Sequence, residues 1–249
     1  MENYESILKR KLKNNLIYFE EVGSTNDVAK KNENLPHGTI IVANGQTAGR
    51  GTFARGFYSK KRSGIYMTVV IDLDEWHFKD EALATLYLAV AASDAIEEIT
   101  GIKTDIKWIN DLFLNSKKLG GILVEKEFSK NTLIAGIGIN ISGKKENFPD
   151  ELQNVMVSLE IEDNIDFVKA GIVNRLYDKI FMASELSNSS VMLEKYKNRF
   201  FLLGEKVEIL IKDEITEAVI MDVAENGHLL IDINGKKLSL SVGKVRIKA

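Results

Sequence analysis

The sequence predicts an α+β fold: a mixed, mainly antiparallel sheet flanked by helices, followed by a small β-barrel. Three observations point there. Between Thr104 and Ile141, three apolar, β-branched runs are separated only by short turn signals at Asn115-Ser116 and at Ser129 to Asn131, which suits hairpins. From Asp80 to about Thr100 the chain is apolar almost all round, as a helix buried against a sheet is. From Gly204 onward, short segments alternate with turns at Glu225-Asn-Gly227 and Asn234-Gly235, the spacing of a small barrel. The expected domains are therefore 1–203 and 204–249.

Taken in order, Tyr4 to Leu12 reads as a short amphipathic helix and Leu16 to Val22 as a strand running into Gly23-Ser-Thr-Asn26. Ser24 and Thr25 each carry a hydroxyl suited to capping the next helix, Asn26 to about Lys31. Thr39 to Ala43 and Gly64 to Ile71 are strands by their β-branched content. Asp80 opens the long helix and Gly101 closes it. Thr104 to Leu114, Lys117 to Glu125 and Thr132 to Ile141 are the hairpin strands. Asp166 caps a helix to about Glu185, and Val191 to Leu202 is another. Lys206 to Ile211, Ala218 to Val223, Leu229 to Ile233 and Lys237 to Val242 are the barrel strands.

Composition removes several function classes. With 45% apolar residues in 249 the chain can bury a full core, and a net charge of −3 argues against general nucleic-acid binding. The apolar run Ala82 to Ala92 is too short to span a bilayer, and the N-terminus lacks a signal-peptide pattern, so a cytoplasmic protein with no membrane partner is expected. The absence of cysteine excludes disulfides, thiolate nucleophiles and cysteine-based zinc sites. His37, His77 and His228 are too scattered for a metal site, and no metal ligands are assigned. Lys9, Arg10, Lys11 and Lys13 fit the solvated face of the first helix, so no DNA partner is expected.

The stretch from Asn44 to Gly56 abandons every periodic pattern and reads as a loop that touches a ligand. Gly45, Gly49, Gly51 and Gly56 let backbone N–H groups approach an anion, while Arg50 and Arg55 supply planar charged donors. No Asp or Glu occurs between Leu35 and Ile71, which leaves a positive field there. Alone, the pattern also suits a plain glycine loop between two strands. Gly120, Gly121, Gly136 and Gly138 sit inside strand-like runs, where glycine weakens packing unless a ligand or another backbone comes close. Together they suggest a floor under a bound molecule, although each alone is also compatible with a β-bulge.

Five motifs then occur in register: Ser24-Thr-Asn26; Gln46…Gly49-Arg-Gly51…Arg55; Lys107-Trp-Ile-Asn-Asp111; Lys118-Leu-Gly-Gly-Ile-Leu-Val-Glu125; and Gly136-Ile-Gly-Ile-Asn140. In order and spacing they resemble the biotin protein ligases over nearly the whole chain. The resemblance implies a catalytic sheet related to class II aminoacyl-tRNA synthetases followed by an SH3-like barrel. It further implies a two-step reaction in which biotin and ATP give biotinyl-5′-AMP and biotin passes to a lysine of a carrier protein, such as the biotin carboxyl carrier of acetyl-CoA carboxylase or of another biotin-dependent carboxylase. A homodimer is compatible with it. Only about 15 residues precede the first strand, so the repressor domain that some members carry is not expected.

Carried over residue by residue, the resemblance makes Lys118, Asp111 and Arg50 the catalytic set. Lys118 bridges the biotin carboxylate and the α-phosphate, and Asp111 orients the incoming lysine or helps hold Mg²⁺ with the triphosphate. Ser24, Thr25, Asn26, Gln46, Gly49, Arg50, Gly51, Thr52, Lys118, Gly121 and Gly136 form the biotin site. Arg50, Arg55, Phe57, Lys107, Lys118 and Asn140 form the ATP site, with Asn140 reading the adenine. The chain departs from the family pattern in three places: Thr52 replaces the second loop arginine, Ala54 a glycine, and Ile109 a proline. Two other readings remain open from sequence, a lipoate or octanoate ligase or transferase and a non-catalytic biotin-binding regulator. Ser24, Thr25 and Gln46 favour biotin, and retention of Lys118 and Asp111 favours catalysis.

Overall fold

The computed structural model describes residues 3–32, 34–52, 55–78, 80–127, 131–182, 185–211, 214–241 and 244–246. The first elements are α1 (Tyr4–Leu12), β1 (Leu16–Phe19), α2 (Thr25–Lys31), β2 (Ile40–Ala43) and β3 (Gly64–Asp72). Next come α3 (Glu81–Thr100), β4 (Asp105–Lys107), β5 (Asp111–Leu114), β6 (Lys117–Glu127) and β7 (Thr132–Asn140). Helices α4 (Ile165–Phe181) and α5 (Ser189–Arg199) lead into β8 (Lys206–Ile211), β9 (Glu214–Val223), β10 (Leu229–Ile233), β11 (Lys236–Leu240) and β12 (Lys244–Arg246).

One seven-stranded sheet has the order β1-β2-β3-β7-β6-β5-β4, and a second, five-stranded antiparallel sheet has the order β11-β10-β9-β8-β12. Among the described strands, β1 and β2 are the pair that runs parallel, because the chain leaves β1 through α2 and returns in the same direction. The mixed, mainly antiparallel sheet with flanking helices and the small C-terminal β-sheet agree with the fold class read from sequence.

Alternation along the strands divides the sheet into two faces. Ile40 and Val42 of β2 and Ile65, Val69 and Ile71 of β3 join the main core with α1, α3 and α4, whereas Ile41 and Val70 join a smaller cluster with Ala29 of α2. Asp80 accepts from the Ala82 and Leu83 N–H groups at 2.8 and 3.2 Å, and Gly101 ends α3 in the left-handed region at φ 75°. From Leu86 to Ala92 the α3 side chains are fully shielded, so the helix faces protein on every side. No helix among the described residues is long and apolar enough to cross a membrane.

Local details differ from expectation. The segment 104–114 is two short paired strands, β4 and β5, because residues 108–110 turn back to anchor elsewhere: the Trp108 Nε1–H donates to the Gly227 carbonyl and the Asn110 amide donates to the Ile122 carbonyl. Ser24 occupies the N-cap position of α2 without a side-chain capping bond. Asn164, in a left-handed conformation, takes the N-cap position expected of Asp166. α4 ends at Phe181, and β12 is an additional strand. Ser129 and Val242 lie outside the described residues.

Among the described residues, one charged side chain is fully enclosed. Lys169 of α4 is 0% exposed, donates to Asn44 Oδ1 at 3.0 Å and lies 4.1 Å from the centre of the Tyr4 ring. Burial pushes its ammonium down to about 8, despite the opposing pull of Asp166 and Glu20. A folded-state value below the unfolded one means that the unfolded chain holds more protons between about pH 8 and the ordinary lysine range. This group's cost is therefore fully present below pH 8 and is relieved as pH rises through that window. Lys169→Met is expected to raise the unfolding midpoint at pH 7 and to flatten the rise in stability between pH 8 and 10. Thermal unfolding of both proteins at pH 7 and 9.5 checks this, and a destabilised, pH-sensitive variant would contradict it.

Candidate active site

The register of the sheet builds a floor. On the face beneath α2, Tyr66, Gly138, Gly121 and Asp111 stand opposite one another across β3, β7, β6 and β5, and Thr68, Gly136 and Leu123 form the adjacent row. Because β6 and β7 stay in unbroken register here, Gly136 and Gly138 are not bulge positions. What crowds them is protein: an added Cβ would meet the Asn26 amide 2.4 Å from Gly136 and the Phe57 ring 2.4 Å from Gly138. A Cβ on Gly120 would meet the Gly138 carbonyl at 2.3 Å, so this glycine permits two strands to approach.

A bulge does occur, on β6. Leu112 pairs with Gly120 and Phe113 with Lys118, which leaves Leu119 as the extra residue. In a regular strand Lys118 would face away from Gly121; the extra residue re-aims it. Leu119 turns into the core, and Lys118 Nζ lies 2.5 Å from Asp111 Oδ1 and 3.5 Å from the position of a Gly121 Cβ. The Lys118 backbone is held as well: its N–H donates to Val155 O, and its carbonyl accepts from Val157 N–H.

The first turn of α2 supplies a wall. Gln46 Oε1 accepts from the Thr25 N–H at 2.9 Å and the Thr25 hydroxyl at 3.2 Å, while Gln46 Nε2 donates to Ser59 at 3.0 Å. Asn26 Oδ1 lies 2.6 Å from the Thr68 hydroxyl, and Asn26 Nδ2 donates to Glu125 Oε2 at 2.9 Å. Ser24, Thr25, Asn26 and Thr68 are all buried. Beside them Arg50 Nη2 is bonded to Asp27 Oδ1 and lies 3.6 Å from Glu125 Oε2, and Lys30 holds Glu125 Oε1 at 2.6 Å. Burial alone would raise the Glu125 carboxyl, but hydrogen bonds from Lys30 and Asn26 and the charges of Lys30 and Arg50 outweigh it and leave it below its ordinary value.

These groups surround an open pocket, with about 460 Å³ of empty space when its solvent-filled mouth is included. Of the residues expected from sequence, Ser24, Thr25, Asn26, Gln46, Arg50, Gly51, Thr52, Phe57, Lys118, Gly121 and Gly136 line it. Gly49, Arg55, Lys107, Asp111 and Asn140 do not; Asp111 stands behind Lys118. A Cβ on Gly49 would strike Ser59 Oγ at 2.5 Å, Lys107 Nζ lies 5.4 Å from the Phe113 ring centre, and buried Asn140 donates to the Val157 carbonyl at 3.1 Å. Arg55 uses its carbonyl to accept from the Gly51 N–H, and Ala54 lies outside the described residues.

Sequence reasoning missed Met67, Asn110, Ile122, Leu123 and Ile137 in the lining, and Asp27, Thr68 and Glu125 behind it. Asn110, Ile122, Leu123, Ile137 and Glu125 stood inside the quoted motifs. Thr68, polar in the middle of the apolar run of β3, is the signal that was available for the α2 face.

Residues 18–142 match the biotin/lipoate A/B protein ligase family. The chain is 39% identical over 166 residues to the Bacillus subtilis protein named bifunctional ligase/repressor BirA, covering 65% of this chain and 51% of that one. It is 24% identical over 214 residues to the Mycobacterium tuberculosis biotin--[acetyl-CoA-carboxylase] ligase, covering 84% and 78%. The chain thus spans about half the length of the BirA relatives it matches at 39% identity. Among solved structures, the Aquifex aeolicus biotin protein ligase in complex with biotin and ATP superposes with a TM-score of 0.76 at 27% identity, over 94% of this chain and 100% of the other.

The contrast between two floor glycines is testable without ligand. Gly136→Ala must push the Asn26 amide off Thr68 and Glu125, at a cost of about 1–3 kcal/mol for the buried groups left unpaired. At Gly121 the nearest atoms to an added Cβ are 3.4–3.5 Å away, ordinary contact, so Gly121→Ala is expected to stay within about 0.5 kcal/mol of the parent. Urea unfolding of the two variants decides; equal stabilities would mean that Asn26 is not fixed by the floor.

Proposed function

The chain belongs to the biotin/lipoate A/B protein ligase family, and from that premise we propose that it is an ATP-dependent biotin protein ligase. It forms biotinyl-5′-AMP from biotin and ATP, then transfers biotin to a lysine of a biotin carboxyl carrier protein or domain. The pocket supports this most directly by combining neutral donors and acceptors on Thr25, Asn26 and Gln46, a glycine floor, and two cations, Arg50 and Lys118. A ureido ring needs the first, close approach the second, and a carboxylate meeting a phosphate the third. A lipoyl chain makes no use of the neutral groups.

In the first step a biotin carboxylate oxygen attacks the α-phosphorus and the bond to pyrophosphate breaks. The two reactants are both anionic, so fixed cations are the main device the site can offer. Lys118 bridges the carboxylate and the α-phosphate, turning from Asp111 to do so. Arg50 and Arg55 hold phosphate oxygens. Phe57, Lys107 and Asn140 are the further ATP-site candidates, of which Phe57 alone lines the pocket. In the second step a carrier lysine amine attacks the acyl carbon, the amide forms and AMP leaves; Asp111, freed from Lys118, orients that amine.

Among the described residues no three His, Cys, Asp or Glu side chains converge as a metal cage. Mg²⁺ fits the site if it is held by the nucleotide's phosphate oxygens with Asp111 as the protein carboxylate, a usual arrangement for this ion. When bound it would neutralise phosphate charge.

Isotope exchange between pyrophosphate and ATP, run with biotin and with lipoate, tests the assignment. Exchange with biotin alone is expected, and exchange with lipoate alone would reassign the enzyme within its family. Lys118→Ala should lower biotin-dependent exchange by about 10²–10³-fold. Its unfolding midpoint should shift little, since a partly exposed pair contributes at most about 1 kcal/mol. Wild-type exchange in that variant would remove Lys118 from the mechanism.

Thr52 lines the pocket where the family pattern has arginine. A hydroxyl donates one hydrogen bond but lacks the charge and the fork of a guanidinium, and one lost charge-assisted bond weakens binding by about tenfold or more. Thr52→Arg is therefore expected to slow release of biotinyl-5′-AMP by about that factor. Equal off-rates at matched salt would show that the second arginine is dispensable in this chain.

A further inference from the structure

Both cations that line the pocket are already paired, and their partners differ. Lys118 faces Asp111, one of the residues assigned to the reaction. Arg50 faces two carboxylates through one nitrogen: Nη2 is bonded to Asp27 Oδ1 and lies 3.6 Å from Glu125 Oε2. With Lys30 on the other Glu125 oxygen, the cluster holds two cations and two carboxylates and sums to zero. An incoming anion therefore meets no net positive charge here unless a carboxylate gives way.

The two carboxylates are not equally able to do so. Glu125 is fixed by Lys30 at 2.6 Å and by the buried Asn26 amide at 2.9 Å, so moving it would break the wall of the pocket. Asp27 stands in the first turn of α2 with a side chain 40% exposed, and its side-chain bond is to Arg50. It can rotate into water, where a carboxylate is well solvated, while staying in the first turn of α2, where negative charge is favoured. Glu125 is the permanent support of Arg50; Asp27 is the exchangeable one.

We propose that Asp27 is a specificity-determining residue that competes with the ligand's anionic group for Arg50. This rests on the ligase reading for the identity of the ligand. While the pocket is empty, Asp27 keeps the guanidinium in place and neutral in sum. On binding, the phosphate or carboxylate takes over the Nη2 face and Asp27 turns out. The exchange of one carboxylate for another anion lowers the gain from Arg50, so an uncharged ligand of the same shape loses nothing to Asp27, whereas an anionic one does.

The test compares wild type with Asp27→Asn by calorimetric titration at 50 and 500 mM NaCl, with biotinyl-5′-AMP and with biotin amide, which lacks the anionic group. Asp27→Asn is expected to bind biotinyl-5′-AMP about two- to fivefold more tightly at low salt, the range a partly exposed ion pair is worth. The difference should shrink at high salt. Biotin amide should bind both proteins alike. Equal or weaker binding of the adenylate by Asp27→Asn overturns the proposal, and weaker binding would make Asp27 a support of Arg50 instead. A tightening shared by biotin amide overturns it too, because it would show a change of shape rather than a competition of charge. If wild type binds neither probe, it is the ligase reading that fails.

Discussion

The hydrogen bonds of Asn26 set a condition that the rest of the pocket has to meet. This amide is buried, and its two ends bind two different strands, Thr68 on β3 and Glu125 on β6. Between those strands lies β7, and only a residue without a side chain leaves room for the amide above it. A half-satisfied buried network is worse than an apolar contact, so α2 can sit on this face in one position only. From that position Thr25 meets Gln46 at the base of the glycine loop, and Gln46 in turn meets Ser59 on the loop's far side. One small helix thus ties both ends of the loop to the sheet. The glycines serve the protein's own packing before they serve any ligand.

Charge in the pocket is arranged on the same frame. The bulge at Leu119 carries Lys118 to the site face and sets it against Asp111, and α2 carries Asp27 and Lys30 to Arg50 and Glu125. Groups held this way start close to where charge arrives and have only to exchange partners, a smaller reorganisation than water would need. Lys118 and Arg50, the two cations in the lining, are each kept in place by an aspartate, while Glu125 and Lys30 hold each other behind them.

Much of this was legible in the sequence, for reasons that differ by element. α3 showed itself because Asp80 and Gly101 punctuate a run too apolar to be anything but buried, and β7 because a β-branched strand was interrupted only by glycines that needed a cause. The break between β4 and β5 was not legible, since Trp108 and Asn110 turn the chain through partners at Gly227 and Ile122 that no local pattern announces. The bulge that aims Lys118 was hidden for a related reason: Lys118, Leu119 and Gly120 look like an ordinary strand until pairing with β5 counts one residue too many. Motif spacing brought most of the lining together. It did not reveal Asp27 or Thr68, whose roles depend on what faces them across the sheet. Nor did it separate Asn140, which ends in a motif yet is turned towards Val157.

The anchor of Trp108 on Gly227 joins residues 119 positions apart, and Tyr196 reinforces it by donating to the Ile109 carbonyl. Chains are made from the N-terminus, so β2, β3, α2, β6 and β7 are all delivered well before the β9–β10 turn that receives the indole. A nascent chain can therefore hold the α2 wall and the glycine floor while residues 108–110 still lack their outer support. Asp111 follows directly on that segment. Asp111 itself pairs with Gly121 of β6, and Asn110 exchanges bonds with Ile122, so the aspartate that faces Lys118 is placed by nearby strands, while the indole is anchored on the last sheet. The C-terminal sheet thus braces the strand break next to the site without supplying a residue to the pocket lining.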